Sequence, residues 1–287
     1  MGEAPVSVVG PKHELVQRYL AIQNNTRPNP QRLIVLDGLW ELESAVAAGL
    51  PLVALLLCPQ RFRGNRASDV ARKAEALADA VLSIGPKLAD RLSDRDTSDG
   101  LAAIAVSRQW TLADLDVHDP ALVLVLDGLE VLGNVGTAVR SAQASGAAAV
   151  VLTNRRVRLT HPRLIHASMA ASLTMPMVEA SVSELAGWLA GNGFQTVLAD
   201  TDAATTYKAF GYGRRVAVVL GSERYGIHRD WRAVPAEAVS IPMAGGVDSL
   251  NVANAATILL FEIASRQRPG DFGEADTSPN DARPLQV

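Results

Sequence analysis

Residues 122–152 read LVLVLDGLEVLGNVGTAVRSAQASGAAAVVL and carry a complete structural unit. The run 122–127 is short, branched and apolar, the pattern of a strand buried on both faces. A helix is predicted over 137–145, and 148–152 is a second buried strand. Strand, helix and strand in this order form a parallel crossover, and ligands of open parallel sheets bind outside the carboxyl ends of the strands. The glycine-rich stretch 128–136 lies at such an end.

The alternation extends in both directions. Downstream, strands are predicted at 177–179, 196–199, 216–220 and 239–241, and helices near 164–171, over 182–190 and from 249 to about 266. Upstream, 33–37, 52–57 and 101–106 read as strands and 39–46 as a helix closed by Gly49. A further helix is predicted within 67–82, where Val70, Ala74, Leu77 and Val81 share one face. The fold class is α/β: a polar lead over 1–30, a small α/β unit over 31–110, a mostly parallel α/β domain over 121–268 and a disordered acidic tail over 269–287. The polar stretch 111–120 is the linker between the two units.

Composition bounds the function. At 287 residues the chain has the length of two domains, and 48% apolar with 20% charged residues excludes a wholly disordered polymer. The single cysteine, Cys58, excludes an internal disulfide framework and a cysteine-built zinc site. Residues 1–10 lack a basic stretch followed by an apolar core, and no apolar run approaches membrane-spanning length, so a cytoplasmic protein with no membrane partner is expected. A formal charge of −3 argues against a polyanionic partner, yet Asp271, Glu274, Asp276 and Asp281 against Arg283 give the tail −3 by themselves. The remainder is balanced, and its positive charge is concentrated in a few loops.

Two more loops follow strands as 128–136 does. Residues 221–226 (GSERYG) follow 216–220, and 242–251 (PMAGGVDSLN) follow 239–241, with Asp248 or Ser249 placed to cap the last helix. With four lysines in the chain, none beside a glycine-rich loop, triphosphate chemistry lacks its charge clamp. Gly211 and Gly213 precede a strand, where a dinucleotide fingerprint must follow one. His161 and His166 are five apart without a carboxylate at helical spacing, so no metal is expected. Ser222 lacks the second glycine of a hydrolase nucleophile elbow. Together the three loops offer glycine backbone, Asn134, Asn251, Glu223, Ser249 and Arg140 beside the apolar Ile241, Met243 and Leu250. That set suits a ligand with an aromatic ring and a few hydrogen-bonding groups, such as the adenosine of S-adenosylmethionine.

Three stretches in order resemble the signature motifs of the SpoU-type (TrmH-like) RNA 2′-O-ribose methyltransferases of the trefoil-knot superfamily. They are Asn134-Val135-Gly136-Thr137-Ala138-Val139-Arg140, then Gly221-Ser222-Glu223-Arg224-Tyr225-Gly226, then Ile241-Pro242-Met243 with Ser249-Leu250-Asn251-Val252. The similarity covers about 121–268, and 31–110 resembles the small ribosomal-protein-like RNA-binding domain that many members carry. The resemblance implies a knotted α/β catalytic domain acting as a homodimer with S-adenosylmethionine as cofactor. It implies a cofactor pocket at Gly221, Ile241, Met243 and Leu250, and an active site of Arg140, Asn134, Glu223 and Asn251. Leu132 stands where many members have proline, which removes a φ constraint from the first loop.

Methylating a ribose hydroxyl requires its oxygen in line with an activated methyl group and requires loss of its proton, so positioning supplies much of the rate. Arginine is an implausible free base, its pKa lying above about 12. Arg140 is therefore expected to clamp a phosphate beside the target ribose and make the hydroxyl more acidic, with Asn134 and Glu223 orienting it and a substrate phosphate or water taking the proton. Arginines outnumber lysines 23 to 4. Arg155, Arg156, Arg158 and Arg163 fall within nine residues free of acids, Arg61, Arg63 and Arg66 form a second patch, and Arg27 with Arg32 a third. The guanidinium fork suits phosphate, so Arg155, Arg156, Arg158, Arg61, Arg63 and Arg32 are the expected RNA contacts. The alanine- and arginine-rich, lysine-poor composition, which suggests a high-GC genome, and the resemblance direct the expectation to 23S ribosomal RNA and to the avilamycin-resistance type of member. A transfer RNA methyltransferase and a non-catalytic ribosome-assembly factor are the alternatives.

Overall fold

The computed structural model describes residues 8–25, 28–95 and 97–272. Among these residues the first half contains β1 (Val8–Val9), α1 (Glu14–Gln23), β2 (Leu33–Asp37), α2 (Leu39–Ala47), β3 (Leu52–Leu57), α3 (Gly64–Glu75), β4 (Val81–Ile84), α4 (Pro86–Leu92) and β5 (Leu101–Val106). The sheet order is β1-β4-β3-β5-β2, with β5 antiparallel to both β3 and β2 and the other pairs parallel.

Two expectations fail in this half. The stretch 1–30 is not polar lead throughout. His13 caps α1 by accepting the N–H of Leu15 at 3.3 Å, and α1 buries Val16 and Tyr19 in one core with Leu33, Val35 and Ile84. The predicted helix over 67–82 instead starts at Gly64 and ends at Glu75, and Val81 belongs to β4. Residues 81–84 pair with β3 on one side and β1 on the other, and those ladders outweigh a helical spacing that placed Val81 in line with Val70 and Ala74.

The second half contains β6 (Ala121–Asp127), α5 (Leu132–Ala144), β7 (Ala149–Thr153), α6 (Pro162–Ala167), β8 (Met177–Glu179), α7 (Val182–Gly191), β9 (Gln195–Ala199), β10 (Arg215–Gly221), β11 (Glu237–Val239), α8 (Val252–Gln267) and α9 (Pro269–Phe272). Its sheet, in the order β11-β9-β10-β6-β7-β8, is parallel at every pair. Leu122, Leu124 and Leu126 of β6 pack toward α5 and α8, while Val123 and Val125 pack toward α7, which is why this strand reads as an unbroken apolar run. From β6 the chain winds outward to β7 and β8, then crosses to the other side, so β6 and β10 flank the point where the winding reverses.

Several boundaries move. Helix α5 begins at Leu132, five residues before its predicted start, which puts Asn134 and Gly136 on the helix. Gly136 is required there: a Cβ on it would lie 2.6 Å from the Cβ of Ala167 and 2.8 Å from the amide of Ser168. Helix α6 stops at Ala167, and Met169 and Ala170 adopt left-handed backbone with φ of 50° and 65°. Strand β11 ends at Val239, leaving Ile241 in the following loop, and Asn251 caps α8 in place of Asp248 or Ser249. Of the expected disordered tail, 269–272 forms α9, whose Phe272 meets Phe261 edge-on at 5.8 Å; residues 273–287 lie outside the described residues.

The two halves are not merely in series. Ile165, Ala170 and Leu173 of the second complete a core with Ile34, Leu42 and Ala45 of the first. Among the described residues no helix is long and apolar enough to cross a membrane.

Candidate active site

One buried carboxylate draws three strand ends together. Asp127, 1% exposed at the end of β6, accepts the Thr153 hydroxyl at 2.8 Å and the Asn154 side-chain amide at 2.7 Å on Oδ1, and the backbone N–H of His228 at 2.6 Å on Oδ2. A carboxylate taken out of water needs such donors, and each hydrogen bond to a charged group is worth about 1.5–3 kcal/mol. The bond to His228 folds the loop after β10 back over the sheet.

That loop turns tightly. Ser222 and Gly226 exchange backbone hydrogen bonds at 3.1 and 2.9 Å, and any side chain at Gly221 would strike the backbone of Gly226 and Ile227. Glu223 meets α5, its Oε1 accepting from Nδ2 of Asn134. Oδ1 of Asn134 accepts from Nδ2 of Asn251 at 3.1 Å, and Oδ1 of Asn251 caps α8 by accepting the N–H of Ala253 at 3.0 Å. One residue from each of three chain segments thus forms a continuous run of hydrogen bonds, Glu223 to Asn134 to Asn251. The hydroxyls of Ser141 and Thr257, 2.7 Å apart, tie α5 to α8 behind it.

Glu223 also lines a cavity of about 440 Å³ at the carboxyl end of β9, β10 and β11. Leu198, Leu220, Ile241 and Leu250 supply apolar wall; Asp200, Ser222 and the backbone of Gly221 and Gly226 supply polar groups. Trp231, 1% exposed, lies against it, and its indole N–H is buried without a hydrogen-bond partner among the described residues. Arg140 stands on α5 six residues beyond Asn134, about 9 Å along the axis. It is exposed, with no hydrogen-bond or ion-pair partner among the described residues.

Residues 121–261 match the SpoU rRNA Methylase family. A crystal structure of an RNA 2′-O ribose methyltransferase is 31% identical, covers 91% of this chain and 99% of its own, and superposes with a TM-score of 0.76. The chain belongs to the SpoU methyltransferase family. The 23S rRNA (uridine(2479)-2′-O)-methyltransferase of Streptomyces viridochromogenes is 28% identical over 264 residues, 89% of each chain. The SpoU methyltransferase AviRb from the same organism, solved in complex with AdoMet, is 25% identical, covers 90% of this chain and 99% of its own, and has a TM-score of 0.78. The matches extend across both halves, beyond the three motifs.

Of the residues that the SpoU resemblance singles out, Gly221, Ile241, Met243 and Leu250 all line the one cavity, and Asn134, Glu223 and Asn251 are joined by hydrogen bonds. Arg140 is not joined to them, so its expected orientation by Asn134 and Glu223 is absent: those two side chains bond each other instead. The expected RNA contacts divide. Arg61 pairs with Asp90, Arg155 with Glu179 at 3.1 Å, and Arg158 donates to Asn25 at 2.9 Å. Arg63 and Arg156 are exposed without a partner among the described residues. Arg32 has left-handed backbone at φ 52°, and its Nε is buried without a partner among the described residues. Arg27 lies outside the described residues. Burial, and after it the neighbouring Arg163 and Arg158, hold the His161 imidazole below its usual pKa.

Sequence reasoning missed Asp127, Leu198, Asp200, His228 and Trp231. The first three sit at or just past strand ends, so the rule that selected the glycine-rich loops could also have selected them. His228 and Trp231 come from a short 3₁₀ turn with no periodic signal.

Proposed function

We propose that the chain methylates a ribose 2′-hydroxyl of ribosomal RNA, with 23S RNA as substrate and S-adenosylmethionine as cofactor, acting as a homodimer in the cytoplasm. The observation that carries this reading is the bonded run Glu223–Asn134–Asn251, whose Glu223 lines a half-apolar cavity and whose Asn134 shares helix α5 with Arg140, an arginine with no partner among the described residues. The residues fit the cofactor: about 440 Å³ is the size of a small-molecule site, its apolar side chains suit a purine, and the Trp231 indole N–H, unpartnered among the described residues, remains to be satisfied. Gly221, Ile241, Met243 and Leu250 would hold it, with Asp200 as a charged acceptor. When bound, S-adenosylmethionine supplies a methyl group already activated by its sulfonium.

The chain's own residues do the rest. Asn134, fixed from both sides by Glu223 and Asn251, presents a rigid polar edge for the ribose. Arg140, without a partner among the described residues, takes a phosphate next to the target and favours the ionised form of the adjacent hydroxyl. The proton leaves to a substrate phosphate or water, since a guanidinium does not accept it. Residues 31–110, with Arg63 and Arg156 exposed on either half, hold the RNA body. The knotted path of the family is part of the same reading.

Labelled S-adenosylmethionine incubated with separate 23S, 16S and transfer RNAs, followed by nucleoside mapping, tests it. A 2′-O-methylated nucleoside in 23S RNA is expected. Label on a base, or no transfer to any RNA, overturns the reading.

A further inference from the structure

The 165–175 segment is held between the two halves and touches both the first sheet unit and the helix that carries Asn134 and Arg140. On one side Ile165, Ala170 and Leu173 are buried with Leu42 and Ala45 of α2. On the other, Ala171 and Met175 are buried with Val135, Ala138, Val139 and Ala142 of α5. The contact with α5 leaves no slack, because Gly136 meets the Ala167–Ser168 backbone so closely that a single Cβ would not fit. Gln143 of α5 also donates to Thr174 at 2.7 Å.

The first half grips this segment by polar contacts as well. The indole N–H of Trp40, on the first turn of α2, donates to the carbonyl of Met169 at 2.8 Å. The next residue, Glu41, is buried and faces His166 at 3.6 Å. At the Met169 contact the chain turns through consecutive left-handed residues, Met169 and Ala170, neither a glycine. Such backbone persists only where its surroundings over-determine it. Trp40 is 48% exposed, so burial of its ring does not explain its placement; its defined attachment is the bond to Met169.

We propose that Trp40 is a positioning residue for methyl transfer. Through the Met169 carbonyl and the 165–175 segment it fixes the set of α5, so that RNA held on the first half and a ribose at Asn134 and Arg140 stay in register. The inference rests on the functional reading above. Interiors packed at crystal density transmit a displacement instead of absorbing it, which allows a residue two layers away to act on α5.

The test is single-turnover methylation of the RNA substrate by the full chain, with calorimetric affinities for S-adenosylmethionine and for RNA, comparing wild type, Trp40→Phe and Trp40→Ala. Trp40→Phe keeps a ring and removes only the donor; about a three- to tenfold slower rate is expected, with both affinities within about twofold of wild type. Trp40→Ala should be slower still, and Trp40→Phe carries the test alone where Trp40→Ala fails to fold. Combining Trp40→Phe with Gly136→Ala should slow the reaction by less than the product of the single effects, since both act through the same segment. An unchanged rate in Trp40→Phe, a rate loss matched by loss of either affinity, or multiplicative effects in the double variant overturns the inference. A wild type that binds S-adenosylmethionine but methylates no RNA overturns the functional reading itself, and the inference with it.

Discussion

The pentapeptide Val-Leu-Asp-Gly-Leu occurs twice, at 35–39 and at 125–129, with different outcomes. In both copies a strand ends at the aspartate and the glycine takes positive φ, 95° at Gly38 and 68° at Gly128. Both carboxylates are satisfied by donors distant in sequence: Asp37 accepts the Ser93 hydroxyl at 3.0 Å and the N–H of Asp94 at 2.9 Å, while Asp127 takes its three donors from the end of β7, the residue after it and the loop after β10. The neighbours differ. β2 is the edge of a mixed sheet, and the space past its end is filled: a Cβ on Gly38 would lie 2.9 Å from Asp99 and 3.0 Å from Arg95. β6 lies between two parallel strands, β10 and β7, so several carboxyl ends point the same way; the loops after β9, β10 and β11 enclose a cavity, and Asn134, on the helix after β6, meets its wall at Glu223. A strand-to-helix turn becomes a binding site only where parallel neighbours add theirs.

If chemistry follows the second copy, Arg140 on the helix after it carries the largest effect. Arg140→Ala is expected to slow methyl transfer about 100-fold or more while calorimetry finds S-adenosylmethionine affinity unchanged. Arg140→Lys at the wild-type rate would show that the planar fork is not what the residue contributes.

The two aspartates can be set against each other directly. Asp127→Asn replaces an acceptor oxygen by a donor facing donors, and should cost about 2–4 kcal/mol in urea unfolding and about tenfold in cofactor affinity. Asp37→Asn should cost less than about 1 kcal/mol, because burial already raises the Asp37 pKa and favours its neutral form. The folded state holds that proton more firmly than the unfolded chain does. Wild-type stability from this group is therefore present below the ordinary value of 3.8 and falls as pH rises through the raised one, and Asp37→Asn should flatten that fall. Equal penalties in the two variants would erase the distinction between the copies.

Smaller effects are expected on the surfaces around them. Arg156→Glu should weaken RNA binding several-fold and lower its salt dependence, leaving cofactor affinity intact. Arg155→Glu should do less, since Arg155 is already paired with Glu179. The reverse order would mean that RNA displaces Glu179. Smallest is His166→Gln at the joint between the halves. The Glu41 carboxylate raises the His166 pKa, so the stabilisation is present below 6.5 and lost as pH rises through the raised value. The variant should cost under about 1 kcal/mol at pH 6 and nothing measurable at pH 9 by thermal unfolding.

Much of the site was legible because its signals are local. The runs 33–37, 52–57, 101–106 and 177–179 are strands at the boundaries their apolar character predicts. The residues Gly221, Ile241, Met243 and Leu250, taken from three separate stretches of sequence, meet at one cavity. Misreadings fell where a distant partner overrides a local preference. Val81 follows β3 instead of its helical neighbours, and α5 starts early because Gly136 packs on α6. Neither α1's burial nor the pairing of Arg61 and Arg155 has a signal in the sequence nearby.

The sequence alone determined the alternation of strands and helices and the glycine-rich loops after the strands, because burial patterning and turn chemistry act between residues a few positions apart; the family came from the resemblance of its three motif stretches. Only the tertiary structure decided which of two identical pentapeptides lies beside parallel strands whose loops enclose a cavity, that His228 is held by Asp127 from 101 positions away, and that Arg140 has no partner among the described residues. Hydrogen-bond and ion-pair partners are chosen in space, once strand order has brought distant ends together, and no local pattern encodes that choice.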